Sequence, residues 1–297
     1  MASKAVGLIG LGQMGKRMAG NLIRNKDLEV VVHDKVQNTF IDNATHAKSA
    51  TELVQNLGRE HQRAIVTMLP NPEVVRNSYH EILQCVVPNT LLIDCSTVDP
   101  ETSRAIASSA ALRQCSFVDA PVSGGVVGAE AASLTFMVGA DSLDDFHRAE
   151  DILLNMGKRA VHCGGVGNGA AAKLCNNLAL AVQMLGVAEA MHLGRELGLD
   201  PKILAQVMNT SSARSWSSDT YNPCPGVLEG VPASQGYEGG FSTSLLLKDL
   251  GLALSSAKSI GAATPGAEHA ATLYKRSADS GFEKKDFGSI FRFLEKM

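Results

Sequence analysis

Residues 6–15, VGLIGLGQMG, constrain this chain more than any other stretch, because they join an apolar run to three glycines at a fixed spacing. Residues 5–9 read as a buried parallel strand, since a strand covered on both faces is apolar without alternation. Gly10, Gly12 and Gly15 then form G-x-G-x-x-G at its carboxyl end. Gly10 permits the tight turn, Gly12 lets the backbone approach a pyrophosphate, and Gly15 lets the next helix lie close to the strand. Leu11, Gln13 and Met14 complete the loop, and a helix from about residue 13 to 25 would aim its free amides at the phosphates. A second apolar run, residues 29–33, ends in Asp34, where a carboxylate would accept hydrogen bonds from an adenosine ribose. With 28 glycines in 297 residues the spacing alone would recur by accident, so the order strand, helix, strand, Asp carries the weight. A carboxylate at 34 repels a 2′-phosphate and favours NAD over NADP, although Lys35 beside it would offset part of that repulsion.

The chain is long enough for two domains of about 150 residues, each with a sizeable core. A net charge of −3 leaves no basic footprint, which argues against nucleic acid as a partner. Cys85, Cys95, Cys115, Cys163, Cys175 and Cys224 form no C-x-x-C pair and read as reduced, mostly core residues. The eight histidines, His33, His46, His61, His80, His147, His162, His192 and His269, show no short ligand spacing, so no metal is expected. The first strand begins within a few residues of the start, and no secretory signal or transit peptide is expected in this chain. The most hydrophobic stretch, residues 178–191, is shorter than a bilayer span and contains Gln183 and Glu189; it reads as a helix buried among helices.

Strand and helix signals alternate through the first half. Strands are expected at about residues 64–69, 91–94 and 117–119, with helices beginning near Pro72 and Pro100, which implies a parallel sheet. Strands at 134–138 and 160–163 flank a helix at 143–156 and close a dinucleotide-binding domain at residues 1–164. The glycine-rich segment GGVGNG then leads into a long helical run at 170–197, and residues 165–297 read as an all-helical domain for substrate binding and oligomerisation. Helical spacing recurs at 201–209, 245–260, 266–280 and 287–296, with Asp200 and Asp286 as caps. Residues 210–240 are rich in Ser, Gly and Pro, and a loop that long is often functional. Its Arg214, Trp216 and Tyr221 invite a substrate role, but aromatic residues in such loops more often pin the loop.

Three segments would serve the oxidation of an alcohol. Lys173 and Asn177 stand four residues apart and share one face of the long helix. Just after the glycine hinge, Lys173 would meet the cleft between domains, and partial desolvation would lower its proton affinity enough to shuttle a proton. A solvated surface pair fits the same spacing. DAPVSGG, residues 119–125, starts at the carboxyl end of a strand, where open α/β sheets bind ligands. Ser123 offers a hydroxyl, and Gly124 and Gly125 leave amides bare for a carboxylate; a plain glycine loop is the alternative. Lys248 and Asp249, at the start of an amphipathic helix, add a second cation, which on its own would pass for solvated surface.

Six motifs in order make the chain resemble the β-hydroxyacid dehydrogenases over nearly its whole length: GLIGLGQMG, TMLP at 67–70, DCST at 94–97, DAPVSGG, GNGAAAKLCNN at 167–177 and LLLKDLGLA at 245–253. The resemblance implies a Rossmann-type, doubly wound, mostly parallel sheet followed by the helical domain. It also implies Lys173 as acid/base, Asn177 as its partner at the substrate, and Ser123, Gly124 and Gly125 as the carboxylate cradle. Lys248 would contact substrate and cofactor, Leu69 and Pro70 would pack near the adenosine, and Thr97 would lie by the nicotinamide ribose. The segment SWSSDTYNPCPGV at 215–227 resembles the 3-hydroxyisobutyrate branch. That branch implies NAD-dependent oxidation of 3-hydroxyisobutyrate to methylmalonate semialdehyde in valine breakdown, in the mitochondrial matrix or else the cytoplasm, by a homodimer or homotetramer with no nucleic-acid or membrane partner. A tartronate semialdehyde reductase, another short-chain 3-hydroxyacid dehydrogenase, or a non-catalytic binding module on the same fold would share the general motifs.

Overall fold

A computed structural model describes residues 4–36, 39–58 and 62–297; His61 lies outside them. The chain forms two compact units, Met1–Lys173 and Leu174–Met297.

The first unit is built on one mixed sheet. Its strands are β1 (Lys4–Ile9), β2 (Leu28–His33), β3 (Thr45–His46), β4 (Gln62–Thr67), β5 (Leu91–Asp94), β6 (Ser116–Asp119), β7 (Val122–Ser123), β8 (Leu134–Gly139) and β9 (Gly157–Gly164). The spatial order is β3-β2-β1-β4-β5-β6-β8-β7, with β9 paired to β8. All pairs from β3 to β6 are parallel, while β8 runs antiparallel to β6 and β7 and parallel to β9. The chain leaves β1 for β2 on one side and returns to β4 on the other, so the carboxyl ends of β1 and β4 flank the switch point where such sheets receive ligands.

Helices cover both faces: α1 (Gly15–Arg24), α2 (Ala50–Asn56), α3 (Pro72–Cys85), α4 (Pro100–Ala111), α5 (Gly125–Glu130) and α6 (Leu143–Leu153). Alternate residues of β1 enter opposite cores, as the two-residue period of a strand requires. Val6 and Leu8 pack with Met18 and Leu22 of α1 and Phe146 of α6. Ala5 and Ile9 pack with Leu53 of α2 and Tyr79 and Ile82 of α3. Asn71, Asp99 and Ser142 accept amides of the first turns of α3, α4 and α6, and proline opens α3 and α4, so the local sequence fixes where these helices begin.

The second unit is helical. The long α7 (Asn168–Glu196) leads into it, followed by α8 (Pro201–Thr210), α9 (Trp216–Asp219), α10 (Thr243–Ile260), α11 (Pro265–Ser277) and α12 (Ile290–Leu294). Ala181, Met184, Leu185, Ala188 and Met191 of α7 share a core with Leu246 and Leu250 of α10, Tyr274 of α11 and Phe291 of α12. At 29 residues α7 is long and apolar enough to cross a membrane by length and composition, so the shortness expected of its apolar stretch does not hold; its packing makes it a core helix. The helix expected at 266–280 ends at Ser277 and widens into a π turn over Ala278–Phe282, where Gly281 has φ 94°. The loop at 210–240 contains α9 and a 3-10 turn, Pro232–Gln235, rather than irregular chain alone. All six cysteines are free, but only Cys95, Cys115 and Cys224 are buried and Cys175 is exposed, so half of them, not most, are core residues.

Candidate active site

The glycine loop has the geometry of a pyrophosphate cradle. Gly10 has φ +98°, and a Cβ there would lie 2.3 Å from the carbonyl oxygen of Met68; one on Gly15 would lie 1.8 Å from the carbonyl oxygen of Gly10. Gly12 is exposed, and a Cβ on it would meet nothing within 4 Å. The two outer glycines are therefore fixed by contact, while the middle one faces open space of the kind a diphosphate would fill. No side chain caps the first turn of α1, which leaves amide donors for an anion. Leu11 is buried under the loop, Gln13 is exposed and accepts from Arg17, and Met14 is half-buried. Half-buried Asp34 lies against this loop: Oδ2 accepts the Leu11 amide at 2.5 Å and Oδ1 the Val36 amide at 2.7 Å. The residues present fit a dinucleotide.

Two further loops meet at the carboxyl ends of β4 and β5. The Leu69 amide donates to Ser96 Oγ at 2.9 Å, which ties TMLP to DCST. Beneath them, Asp94 is 1% exposed and its Oδ1 accepts Thr67 Oγ1 at 2.7 Å and the Ser96 amide at 3.1 Å. Thr67 Oγ1 lies 3.0 Å from the hydroxyl of buried Tyr79. Leu69 and Thr97 are half-buried and Pro70 is exposed, so these loops present two apolar side chains and one hydroxyl beyond the strand ends. Burial raises the Tyr79 hydroxyl and the Cys95 thiol far above their ordinary values, and neighbouring Asp94 adds to both effects.

DAPVSGG carries the chain from β6 to β7 and α5. Ser123 is half-buried, Gly124 and Gly125 are exposed, and both glycines adopt positive φ, 130° and 61°. Lys173, in the second turn of α7, is 9% exposed and is therefore not a solvated surface lysine. Asp119 links the two segments, because its carboxylate accepts the Gly167 and Ala170 amides at 2.7 Å each.

In the second unit Asn177 is 2% exposed, and its Nδ2 donates to Asp249 Oδ2 at 2.6 Å. Lys248 is half-buried, with Nζ 3.2 Å from Asp249 Oδ1. Asp249 thus joins the two residues picked out in this unit, although its own part was not foreseen. Its signal was available, since a carboxylate next to Lys248 on an apolar helix with Leu246 and Leu250 needs polar partners when buried. Trp216, 45% exposed, stacks on Tyr221 at 4.6 Å between ring centres, and the Tyr221 hydroxyl donates to Asp286, so the aromatic pair pins its loop. Gly10, Gly12, Gly15, Asp34, Leu69, Pro70, Thr97, Ser123, Gly124, Gly125 and Lys173 belong to the first unit, and Asn177 and Lys248 to the second.

Known proteins resemble this chain over its full length. Residues 5–165 match the family model described as the NAD binding domain of 6-phosphogluconate dehydrogenase. Residues 167–294 match that described as NAD-binding of NADP-dependent 3-hydroxyisobutyrate dehydrogenase. A protein of Dictyostelium discoideum named "Probable 3-hydroxyisobutyrate dehydrogenase, mitochondrial" is 49% identical over 99% of this chain and 92% of its own length. The mitochondrial 3-hydroxyisobutyrate dehydrogenase of Mus musculus is 46% identical over 100% and 89%. The solved 3-hydroxyisobutyrate dehydrogenase of Mycobacterium tuberculosis, with L-serine, superposes with a TM-score of 0.92 at 36% identity, covering 99% of each chain. With relatives of this identity over its full length, the chain belongs to the 3-hydroxyisobutyrate dehydrogenase family.

Proposed function

We propose that this protein oxidises 3-hydroxyisobutyrate to methylmalonate semialdehyde with NAD. The observation that carries the reading is a lysine, Lys173, kept 9% exposed near the start of α7 in a chain that matches 3-hydroxyisobutyrate dehydrogenases from end to end. NAD, when bound, supplies the acceptor for the hydride leaving the hydroxymethyl carbon. Lys173 Nζ takes the hydroxyl proton, and in the reverse direction its ammonium stabilises the oxyanion and returns that proton. Ser123 and the Gly124 and Gly125 amides hold the substrate carboxylate. Asn177, anchored by Asp249, orients the hydroxyl, and Lys248 adds positive charge toward the substrate carboxylate and the cofactor. Gly10 to Gly15 would receive the pyrophosphate and Asp34 the adenosine ribose, with Leu69 and Pro70 near the adenosine and Thr97 near the nicotinamide ribose.

On this reading residues 1–164 bind the dinucleotide and residues 165–297 serve substrate binding and assembly. Exposed Leu193, Leu197, Ile203 and Val207 of the helical unit support assembly into a homodimer or homotetramer. The mitochondrial names of the relatives support a place in the mitochondrial matrix and in valine breakdown. NADH absorbance with a panel of 3-hydroxyisobutyrate, L-serine and glycerate, together with NADH-dependent reduction of tartronate semialdehyde, tests the substrate. The highest kcat/KM is expected for 3-hydroxyisobutyrate; a higher value for tartronate semialdehyde would reassign the enzyme, and no turnover of any member would leave a binding module.

A further inference from the structure

Asp119 is a buried carboxylate to which the mechanism above gives no step. It ends β6 and is 1% exposed. Oδ1 accepts the Gly167 amide and Oδ2 the Ala170 amide, both at 2.7 Å, from partners 48 and 51 residues further along the chain. The first turn of α7 is thus capped from the sheet. A carboxylate at a helix N-terminus is favoured by the free amides and by the helix dipole.

The surroundings are shaped to this side chain. A Cβ on Gly139, opposite Asp119 in the sheet, would lie 2.3 Å from Oδ1. One on Gly169 would lie 2.9 Å from Oδ2 and 2.2 Å from the Met137 carbonyl oxygen. The carboxylate therefore occupies space that two glycines leave for it. Burial raises its pKa to about 6 against the pull of the two amides, which marks a position where keeping the carboxylate ionised costs free energy. What the position gives is a connection. In one direction the chain runs from Asp119 through Ala120 and Pro121 to Ser123; in the other, Lys173 follows Ala170 by less than one helical turn.

We propose that Asp119 is a positioning residue for the dehydrogenase reaction: by tying the carboxyl end of β6 to the first turn of α7, it sets Lys173 against the Ser123–Gly125 loop. This rests on the assignment of Lys173 and Ser123 made above. Asn at 119 would turn an NH₂ toward one of two N–H donors, so a hydrogen bond is replaced by a repulsive contact with little change in size.

The test uses the full chain, as wild type, Asp119→Asn and Asp119→Ser, with active sites counted by NADH binding. Both variants are expected to bind NADH within about twofold of wild type. Per NADH-binding site, kcat for 3-hydroxyisobutyrate should fall at least tenfold and its KM rise, with the KM for NAD unchanged. A merely structural role would lower the melting temperature and leave these per-site constants alone. Hydrogen exchange supplies a readout free of substrate, in which the amides of residues 167–173 should exchange at least tenfold faster in the variants. Wild-type kcat per site in either folded variant overturns the proposal. If wild type itself turns over no hydroxyacid, the proposed function fails, and exchange then decides alone: unchanged protection of residues 167–173 overturns the positioning role. If Asp119→Asn fails to fold, Asp119→Ser, whose hydroxyl can turn its proton away from the amides but whose single oxygen cannot replace both carboxylate oxygens, carries both readouts.

Discussion

Asp34 holds the Leu11 amide of the glycine loop, so one carboxylate braces the loop and, in the proposed function, also receives the adenosine ribose. Asp34→Ala removes both, and loss of a charge-assisted bond of about 1.5–3 kcal/mol corresponds to roughly 10- to 100-fold weaker NAD binding. The preference against NADP should narrow in the same variant, and cofactor titration measures both; unchanged NAD affinity would end the ribose assignment. Gly15→Ala forces a Cβ against the Gly10 carbonyl oxygen, so NAD binding should be lost while the helical unit keeps its fold, as followed by NADH fluorescence and circular dichroism. Asp249→Ala leaves Asn177 without its acceptor. Turnover is expected to fall at least tenfold with little change in NAD affinity, since the role proposed for Asn177 is at the hydroxyacid.

Among the elements, the one bearing Lys248 is held at its start by Asp286. That carboxylate, 1% exposed, accepts the Tyr221 hydroxyl at 2.9 Å and the Phe241 and Gly288 amides at 2.8 Å each, knotting the long loop, the approach to α10 and the final helix together. Asp286→Asn should cost on the order of 1–3 kcal/mol, seen in urea unfolding. Burial raises this carboxyl to about 6, above its ordinary 3.8. A raised folded-state pKa gives stability that is fully present below about pH 4 and is lost as pH rises through about 6. The advantage of wild type over Asp286→Asn should therefore shrink between pH 5 and pH 7.5; an advantage that widens would contradict the raised value. The elements themselves were unequally readable. Pro72 and Pro100 announced α3 and α4, because a proline at a helix start acts locally; the Asn71 and Asp99 caps beside them carried the same signal and were not picked out. The short β3, α2 and α5 were not foreseen, since two to seven residues carry too little periodicity and take their form from the sheet they cover.

At the scale of the whole molecule, a strand-helix alternation followed by helices alone was legible because the hydrophobic period changes near residue 164. The fold class, and the placing of the glycine loop after β1 and of Asp34 after β2, could be read because each depends on neighbours within one βαβ unit. What could not be read were the long-range anchors. Asp119 reaches an amide 51 residues on, and Asn177 an acceptor 72 residues away, distances at which spacing carries no information. Light scattering should give a dimer or tetramer for a helical unit with this much exposed aliphatic surface, and a monomer at micromolar concentration would remove assembly from its role.

Lys173→Ala, assayed beside wild type for NADH formation from 3-hydroxyisobutyrate, bears most directly on the proposed chemistry. NADH binding should survive while kcat falls about 10²- to 10⁴-fold, the usual worth of a placed proton-transfer group. Turnover near that of wild type in the folded variant would contradict it.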